Sequence, residues 1–253
     1  KVREMIAKNN AKKGGLSDKI VPIILAIISA ISILTTIAIL FTLLTETITF
    51  FTRVPLSKFF LSGTWNPTGS SPEFGIWALI IGTLKITVIA TIVAVPIGLG
   101  AAIYLNEYAS DRSRRIIKPI LEILAGIPTI VFGFFALTFV TPILRNLIPN
   151  LGEFNSISPG IVVGIMIVPM ITSMSEDAMS SVPDKIREGA FGLGATKFEV
   201  ATKVVLPAAT SGVVASIVLG ISRAIGETMI VSLAAGSSPT SSLSLTSSIQ
   251  TMT

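Results

Sequence analysis

Five stretches of the chain are apolar over lengths that a water-exposed helix does not need. Residues 20–45 run 26 positions without a charge. Residues 76–104 are apolar apart from Lys85, and residues 116–140 hold only Lys118 and Glu122 near one end. Residues 158–174 are short and uncharged, and residues 210–235 contain Arg223 and Glu227. A continuous apolar run of about 18 residues or more reads as a membrane span, so the pattern predicts five membrane-crossing helices. A transmembrane barrel would show short alternating segments instead. Pro96, Pro128 and Pro169 fall inside these runs and predict kinks, which neighbouring helices can satisfy. The first run exceeds the 7–15 residues of a signal-peptide core and reads as the first span. The chain opens on Lys1 rather than Met, so the natural N-terminus is expected to lie further upstream.

Composition agrees. Hydrophobic residues make up 51% of the 253 positions and charged residues 13%, against roughly a quarter charged in ordinary soluble domains. Mean hydropathy is +0.81. Disorder is excluded for most of the length, because disordered chains are polar and charged. There is no cysteine and no histidine, which excludes thiol nucleophiles, disulfides, Cys/His zinc sites and imidazole catalysis. No metal site and no cofactor are expected.

The net charge of +5 is explained by its distribution. Segments before the first span, between the second and third, and between the fourth and fifth hold 14 cations when Lys118 at the entry of the third span is counted, against three on the opposite side (Arg53, Lys58 and Arg145). Lysine and arginine mark the cytoplasmic side, so the N-terminus is expected in the cytoplasm and nucleic-acid binding is not. The expected organisation is a basic cytoplasmic segment at 1–19 followed by a transmembrane domain at 20–253, with a cytoplasmic loop at 176–207. The Ser/Thr-rich, uncharged tail at 236–253 is expected to emerge outside as a loop.

No G-x-x-x-x-G-K-[ST] loop for ATP occurs. Gly98/Gly100 and Gly192/Gly194 form G-x-G pairs, but Ile103 and Lys197 stand where a third glycine would be, so a dinucleotide site is not supported. Carboxylates do not cluster as a hydrolase pair or a cation cage. The chain is expected to be no enzyme, with any energy supplied by another chain.

The loop at 176–207 is patterned as two short helices. Pro183 suits a first turn leading to about Leu193, with Ile186, Ala190 and Leu193 on one face. Gly192 and Gly194 permit a turn. Thr196 and Glu199 form a T-x-x-E capping box for a second helix expected to end at Pro207. By pattern alone this is either a docking knob or a self-packed surface loop.

Glu188-Gly189-Ala190-x-x-x-Gly194, followed after nine intervening residues by Val204-x-Leu206-Pro207, resembles the EAA loop of ABC importer permeases. Gly189 replaces the first alanine of that pattern and Val204 its isoleucine. The resemblance implies that Glu188, Ala190, Gly194, Leu206 and Pro207 belong to a coupling element that docks on a cytoplasmic ATPase. Gly75-Ile76-Trp77, Gly82-Thr83-Leu84, Leu124-Ala125-Gly126-Ile127-Pro128, Ser175-Glu176-Asp177-Ala178 and Arg223-Ala224-Ile225-Gly226-Glu227-Thr228-Met229 are together similar to phosphate importer permeases, PstC type. This likeness covers about residues 74–236. It implies an all-α polytopic membrane protein of the type I ABC importer permease fold in a bacterial or archaeal cell (inner) membrane. Five of the family's six helices are present, the sixth being expected beyond Thr253. The implied partners are a homologous PstA-type permease, a PstB-type ATPase dimer and an extracytoplasmic phosphate-binding protein, with lipid around the spans. Permeases for another oxyanion or small nutrient share the loop; a channel or a carrier working without an ATPase has no use for it.

Ionisable groups inside a bilayer are costly and usually face protein or water. Arg223 is expected near the middle of a single helix, with Glu227 four residues on and on the same face. An arginine fork can grip two phosphate oxygens, and the carboxylate can hold the arginine or take a proton. The other reading is a buried pair that fixes packing. Midplane placement and the resemblance favour the substrate pathway. Lys85 is expected to snorkel or pair, Glu122 to sit near Arg114, Arg115 or Lys118, Glu46 to be solvated, and Met166, Met170 and Met174 to serve packing.

Overall fold

A computed structural model describes residues 16–253 except 68, 70 and 240–243, and the side chains from residue 20 onward. The basic segment at residues 1–15 lies outside the described residues. The chain divides into two compact units, the first ending at Leu56 and the second running Ser57–Thr253.

Among its described residues, the first unit is built on one helix, α1 (Leu16–Arg53), of 38 residues. Its isoleucines, leucines and valines are exposed along its length. A helix apolar all round needs an apolar surrounding. At about 1.5 Å per residue it spans roughly 57 Å, well over the ~30 Å hydrocarbon thickness. Glu46 sits inside this helix rather than at its end, and it is exposed.

In the second unit, Trp65 and Asn66 pair antiparallel with Phe74 and Glu73 in a two-residue hairpin. It leads into α2 (Trp77–Tyr108), whose last five residues wind as a π-turn. The expected third span is corrected. Gly126 closes an amphipathic helix α3 (Asp111–Gly126), capped by Ser110, and the apolar helix α4 (Thr129–Leu147) starts only after Pro128. Proline disfavours helical geometry at the residue before it, and Ile127 is extended (ψ 129). The break at 127–128 therefore splits what hydropathy alone joins. Next comes α5 (Ile157–Ser180), longer than the uncharged stretch that signalled it. The loop that follows holds α6 (Asp184–Gly192) and α7 (Lys197–Ala208). Pro207 lies inside α7 instead of ending it; a 76° bend at Ala209 separates α7 from α8 (Thr210–Ile225). The expected fifth span is also corrected, since the helix stops at Gly226 and resumes as the short α9 (Met229–Ala234). Among the described residues, four helices are long and apolar enough to cross a membrane, or five if α7 and α8 count as one bent span.

The core forms where α5 packs against α2 and α8. Ile86, Ala90 and Ala94 of α2 meet Val162, Val163, Ile167 and Ile171 of α5, with Ala224 of α8 and Ile230 of α9. Small residues let the backbones approach, as membrane helix pairs require. A Cβ at Gly164 would stand 2.9 Å from the Ala90 carbonyl oxygen and from Val93. Gly164→Val is therefore expected to destabilise the bundle by about 1–3 kcal/mol, the usual cost of overpacking. It should lower the thermal midpoint in detergent, while Gly100→Ala, with open space around it, should leave the midpoint unchanged.

The tail departs most from expectation. Residues 244–253 lack regular secondary structure, as a loop does, but they return to pack against the bundle. Ile249 is fully buried and its N–H donates to the Ala235 carbonyl at 3.0 Å. The Met252 N–H donates to Thr83 Oγ1 at 3.1 Å, and Ser156 donates through both N–H and Oγ to the Leu245 carbonyl. Buried non-helical backbone needs partners for its polar groups, and these bonds supply them.

Candidate functional site

Two regions carry the residues singled out by sequence. The first is a cavity of about 400 Å³ lined by Leu105 of α2, Lys118 and Glu122 of α3, Met166, Met170 and Glu176 of α5, and Arg223 of α8. Arg223 stands in the last turn of α8. It shares the cavity wall with Met166 and Met170 near the middle of α5 and with Lys118 and Glu176, at a helix end rather than in the middle of a single helix. The side chain is exposed, and it takes no part in the ion pairs found among the described residues.

Glu227 is arranged differently. The helix has already ended, so the spacing of four from Arg223 is not a helical repeat and the two do not pair. Glu227 is buried, and its Oε1 accepts the N–H of Ile230 at 3.3 Å. A carboxylate over the free N–H groups of a helix start is favoured by hydrogen bonding and by the helix dipole. The structure thus brings Arg223 to a cavity and uses Glu227 to start α9.

Glu176 was not among the expected site residues. It is 3% exposed and its Oε2 lies 2.7 Å from Lys118 Nζ, a cross-link from α5 to α3. Glu122 lines the same cavity but leaves Lys118 to Glu176. Lys85 is buried and donates to the Ser244 carbonyl at 2.9 Å, a pairing rather than snorkelling. No sequence pattern foretold these partners, because they lie 58 or more residues apart.

The second region is the loop at 181–209. Glu188 is exposed, Ala190 half-buried, Gly194 and Pro207 exposed and Leu206 half-buried. Gly194 adopts φ +86°, a conformation that side chains rarely take, so the turn between α6 and α7 falls where glycine allows it. Leu193, expected on a common face with Ile186 and Ala190, is instead 91% exposed just past the end of α6. A Cβ at Gly189, Gly192 or Gly194 would meet nothing within 4 Å. The capping box forms in both directions: the Glu199 N–H donates to Thr196 Oγ1, and the Thr196 N–H donates to Glu199 Oε2. That backbone bond first, then Lys203 and the Thr196 hydroxyl, hold the Glu199 carboxyl down to about 2. Its contribution is therefore present above the ordinary carboxylate range and lost as pH falls towards 2. Thr196→Ala should cost about 1 kcal/mol of local stability, read as faster hydrogen exchange at residues 197–200.

Helices apolar enough to cross a membrane, a cavity between α2, α3, α5 and α8 and an exposed helical loop at one end define a polytopic membrane protein. The model of the family described as binding-protein-dependent transport system inner membrane component matches residues 94–253, and the chain belongs to that family. It is 38% identical over 180 residues to the probable ABC transporter permease protein YqgH of Bacillus subtilis, covering 71% of this chain and 58% of that protein. It is 37% identical over 200 residues to the phosphate transport system permease protein PstC of Haemophilus influenzae, covering 72% and 63%. The chain thus spans about six tenths of the length of the curated relatives it matches. Among solved structures, an inward-facing MetNI methionine ABC transporter aligns with TM-score 0.46 and 21% identity over 60% of this chain and 68% of that one.

Proposed function

We propose that this chain is a permease subunit of an ATP-driven importer of inorganic phosphate. It forms the translocation path with a homologous permease of the PstA type, receives phosphate from an extracytoplasmic binding protein and docks on a cytoplasmic PstB-type ATPase dimer. The chain hydrolyses nothing itself. The observation that carries this reading is the loop at 181–209, where three glycines stand in open space on an exposed helical knob beside Glu188. Glycine costs a helix about 1 kcal/mol relative to alanine, so smallness at Gly189 and Gly192 serves something outside the fold. A partner helix or cleft pressed against the backbone is such a requirement. Substrate class is supported by the relatives named as phosphate permeases and by Arg223, an arginine on the cavity wall whose planar fork suits an oxyanion.

When the ATPase dimer closes, it moves α6 and α7, and the bundle exchanges an outward-open for an inward-open arrangement. Arg223 holds the anion at mid-depth while both ends are closed. The N-terminus lies in the cytoplasm on this reading, with 105–128 and 181–209 on the same side. Because the chain has no cysteine, Gly189→Cys and Asn66→Cys report sidedness cleanly. An impermeant maleimide added to intact cells should label position 66 and not 189; the reverse result would invert the topology. The function is tested by purification: the chain should bring down an ATPase whose turnover rises with phosphate-loaded binding protein and not with sulfate or molybdate. Turnover indifferent to phosphate would contradict the substrate assignment.

A further inference from the structure

We propose that Arg187 is the positioning residue that fastens α6 to the cytoplasmic ends of both α5 and α2, so that a push on the loop reaches the two helices together. The inference rests on the coupling reading above and names the joint through which it acts.

The guanidinium lies in the first turn of α6, next to Glu188. Its Nη2 donates to the Met179 carbonyl at 2.7 Å, and its Nη1 donates to the Val182 carbonyl at 3.0 Å and to Asp184 Oδ1 at 2.8 Å. These carbonyls belong to the last turn of α5 and the residues just beyond it, where helix geometry leaves acceptors unused and a cation is favoured. On its other side, Nε is 3.3 Å from Glu107 Oε1. The two side chains are 15% and 7% exposed, so this pair is largely out of water.

Glu107 sits in the π-turn that ends α2, at Tyr104–Tyr108. Such turns free carbonyls from the regular ladder and recur at functional places. Here the freed carbonyls are held from α3: Arg114 Nε donates to the Leu105 carbonyl at 2.8 Å and Nη2 to the Asn106 carbonyl at 2.9 Å. Asn106 Nδ2 also donates to Glu107 Oε1 at 3.1 Å. The end of α2 is therefore gripped by α3 through backbone and by α6 through one carboxylate. Four segments meet at two arginines, and Arg187 is the member that belongs to the exposed loop.

A passive tie and a transmission joint respond differently to neutralisation. A buried ion pair can often be replaced by neutral groups without loss of folding, so Arg187→Gln combined with Glu107→Gln should still assemble. A joint, however, needs the planar fork that reaches both helix ends, and a shorter amide cannot span them. The measurement is phosphate transported per ATP hydrolysed, by assembled complexes in vesicles loaded with ATP on the ATPase side. We expect Arg187→Gln to lower this ratio about tenfold, the scale of coupling carried by such networks. Glu107→Gln should lower it comparably, and the double variant no further than the single ones, because they interrupt one joint. Arg187→Lys keeps a cation opposite Glu107, so it assembles, and its ratio should lie between wild type and Arg187→Gln. A wild-type ratio in assembled Arg187→Gln or Arg187→Lys would reduce Arg187 to a structural tie and overturn the inference. Wild-type complex whose ATP hydrolysis does not respond to phosphate would instead overturn the coupling reading, so the two failures are distinct.

Discussion

Arg223→Gln should reduce phosphate uptake by about a hundredfold or more, close to 3 kcal/mol of lost anion stabilisation at 1.36 kcal/mol per tenfold. The argument turns on what Arg223 does not do. It is exposed on a cavity wall and holds no ion pair among the described residues, so the fold has little need of it. Exposed substitutions away from packed features usually change stability by less than about 0.5 kcal/mol. A large loss of uptake in a complex that assembles and hydrolyses ATP therefore has to come from the substrate side. Arg223→Lys keeps the charge and loses the fork, and should retain only about a tenth of the rate. Glu227→Gln separates charge from geometry, because the amide oxygen still accepts the Ile230 N–H. Near-normal uptake there would assign Glu227 to starting α9, while loss of uptake would assign its charge to the path. Replacing both residues must abolish uptake if Arg223 meets the anion, and wild-type rates would make it structural.

Gly189→Leu should leave the isolated chain folded yet cut phosphate-stimulated ATP hydrolysis at least about tenfold. Leucine is a better helix former than glycine by nearly 1 kcal/mol, and a Cβ at Gly189 meets nothing within the chain. Any loss must then arise where another surface needs that space. Gly194→Val probes the turn instead. Open space surrounds it, but φ +86° strains a β-branched residue by about 1–3 kcal/mol. It should misplace α6 against α7 and weaken ATPase assembly or uncouple it. Normal assembly and turnover in both variants would leave the loop without its assigned role.

The membrane class was legible because bilayer thickness imposes long apolar runs, and three of the five runs marked one helix each. Thr196 and Glu199, three residues apart, announced their own cap, and Gly194 its turn, since both are local rules of backbone geometry. Breaks inside apolar runs were less visible. Pro128 was noted as a kink where it ends one helix and starts another. Nothing in Gly226-Glu227-Thr228 distinguishes a stop from a continuation, although in the structure the Glu227 carboxylate accepts the Ile230 N–H and its carbonyl accepts the Thr253 hydroxyl of the returning tail. Contacts between distant segments were not legible at all. Lys118 with Glu176, Arg187 with Glu107 and Lys85 with Ser244 depend on how helices pack. The tail shows the limit most plainly: a Ser/Thr-rich uncharged stretch reads as an emerging loop, and nothing in it foretells that Ile249 is buried and that residues 244–253 bond back to the bundle.

The central claim, that this chain passes phosphate across a membrane under the control of an ATPase docked on its loop, is tested most directly by reconstitution. Vesicles carrying the complex of this full-length protein with its second permease and ATPase would be supplied with binding protein and radiolabelled phosphate on one side and ATP on the other. The account predicts ATP-dependent phosphate accumulation that excess sulfate does not compete away and that the Arg223→Gln complex lacks. Phosphate flux that persists without ATP, or accumulation of sulfate in place of phosphate, would contradict it.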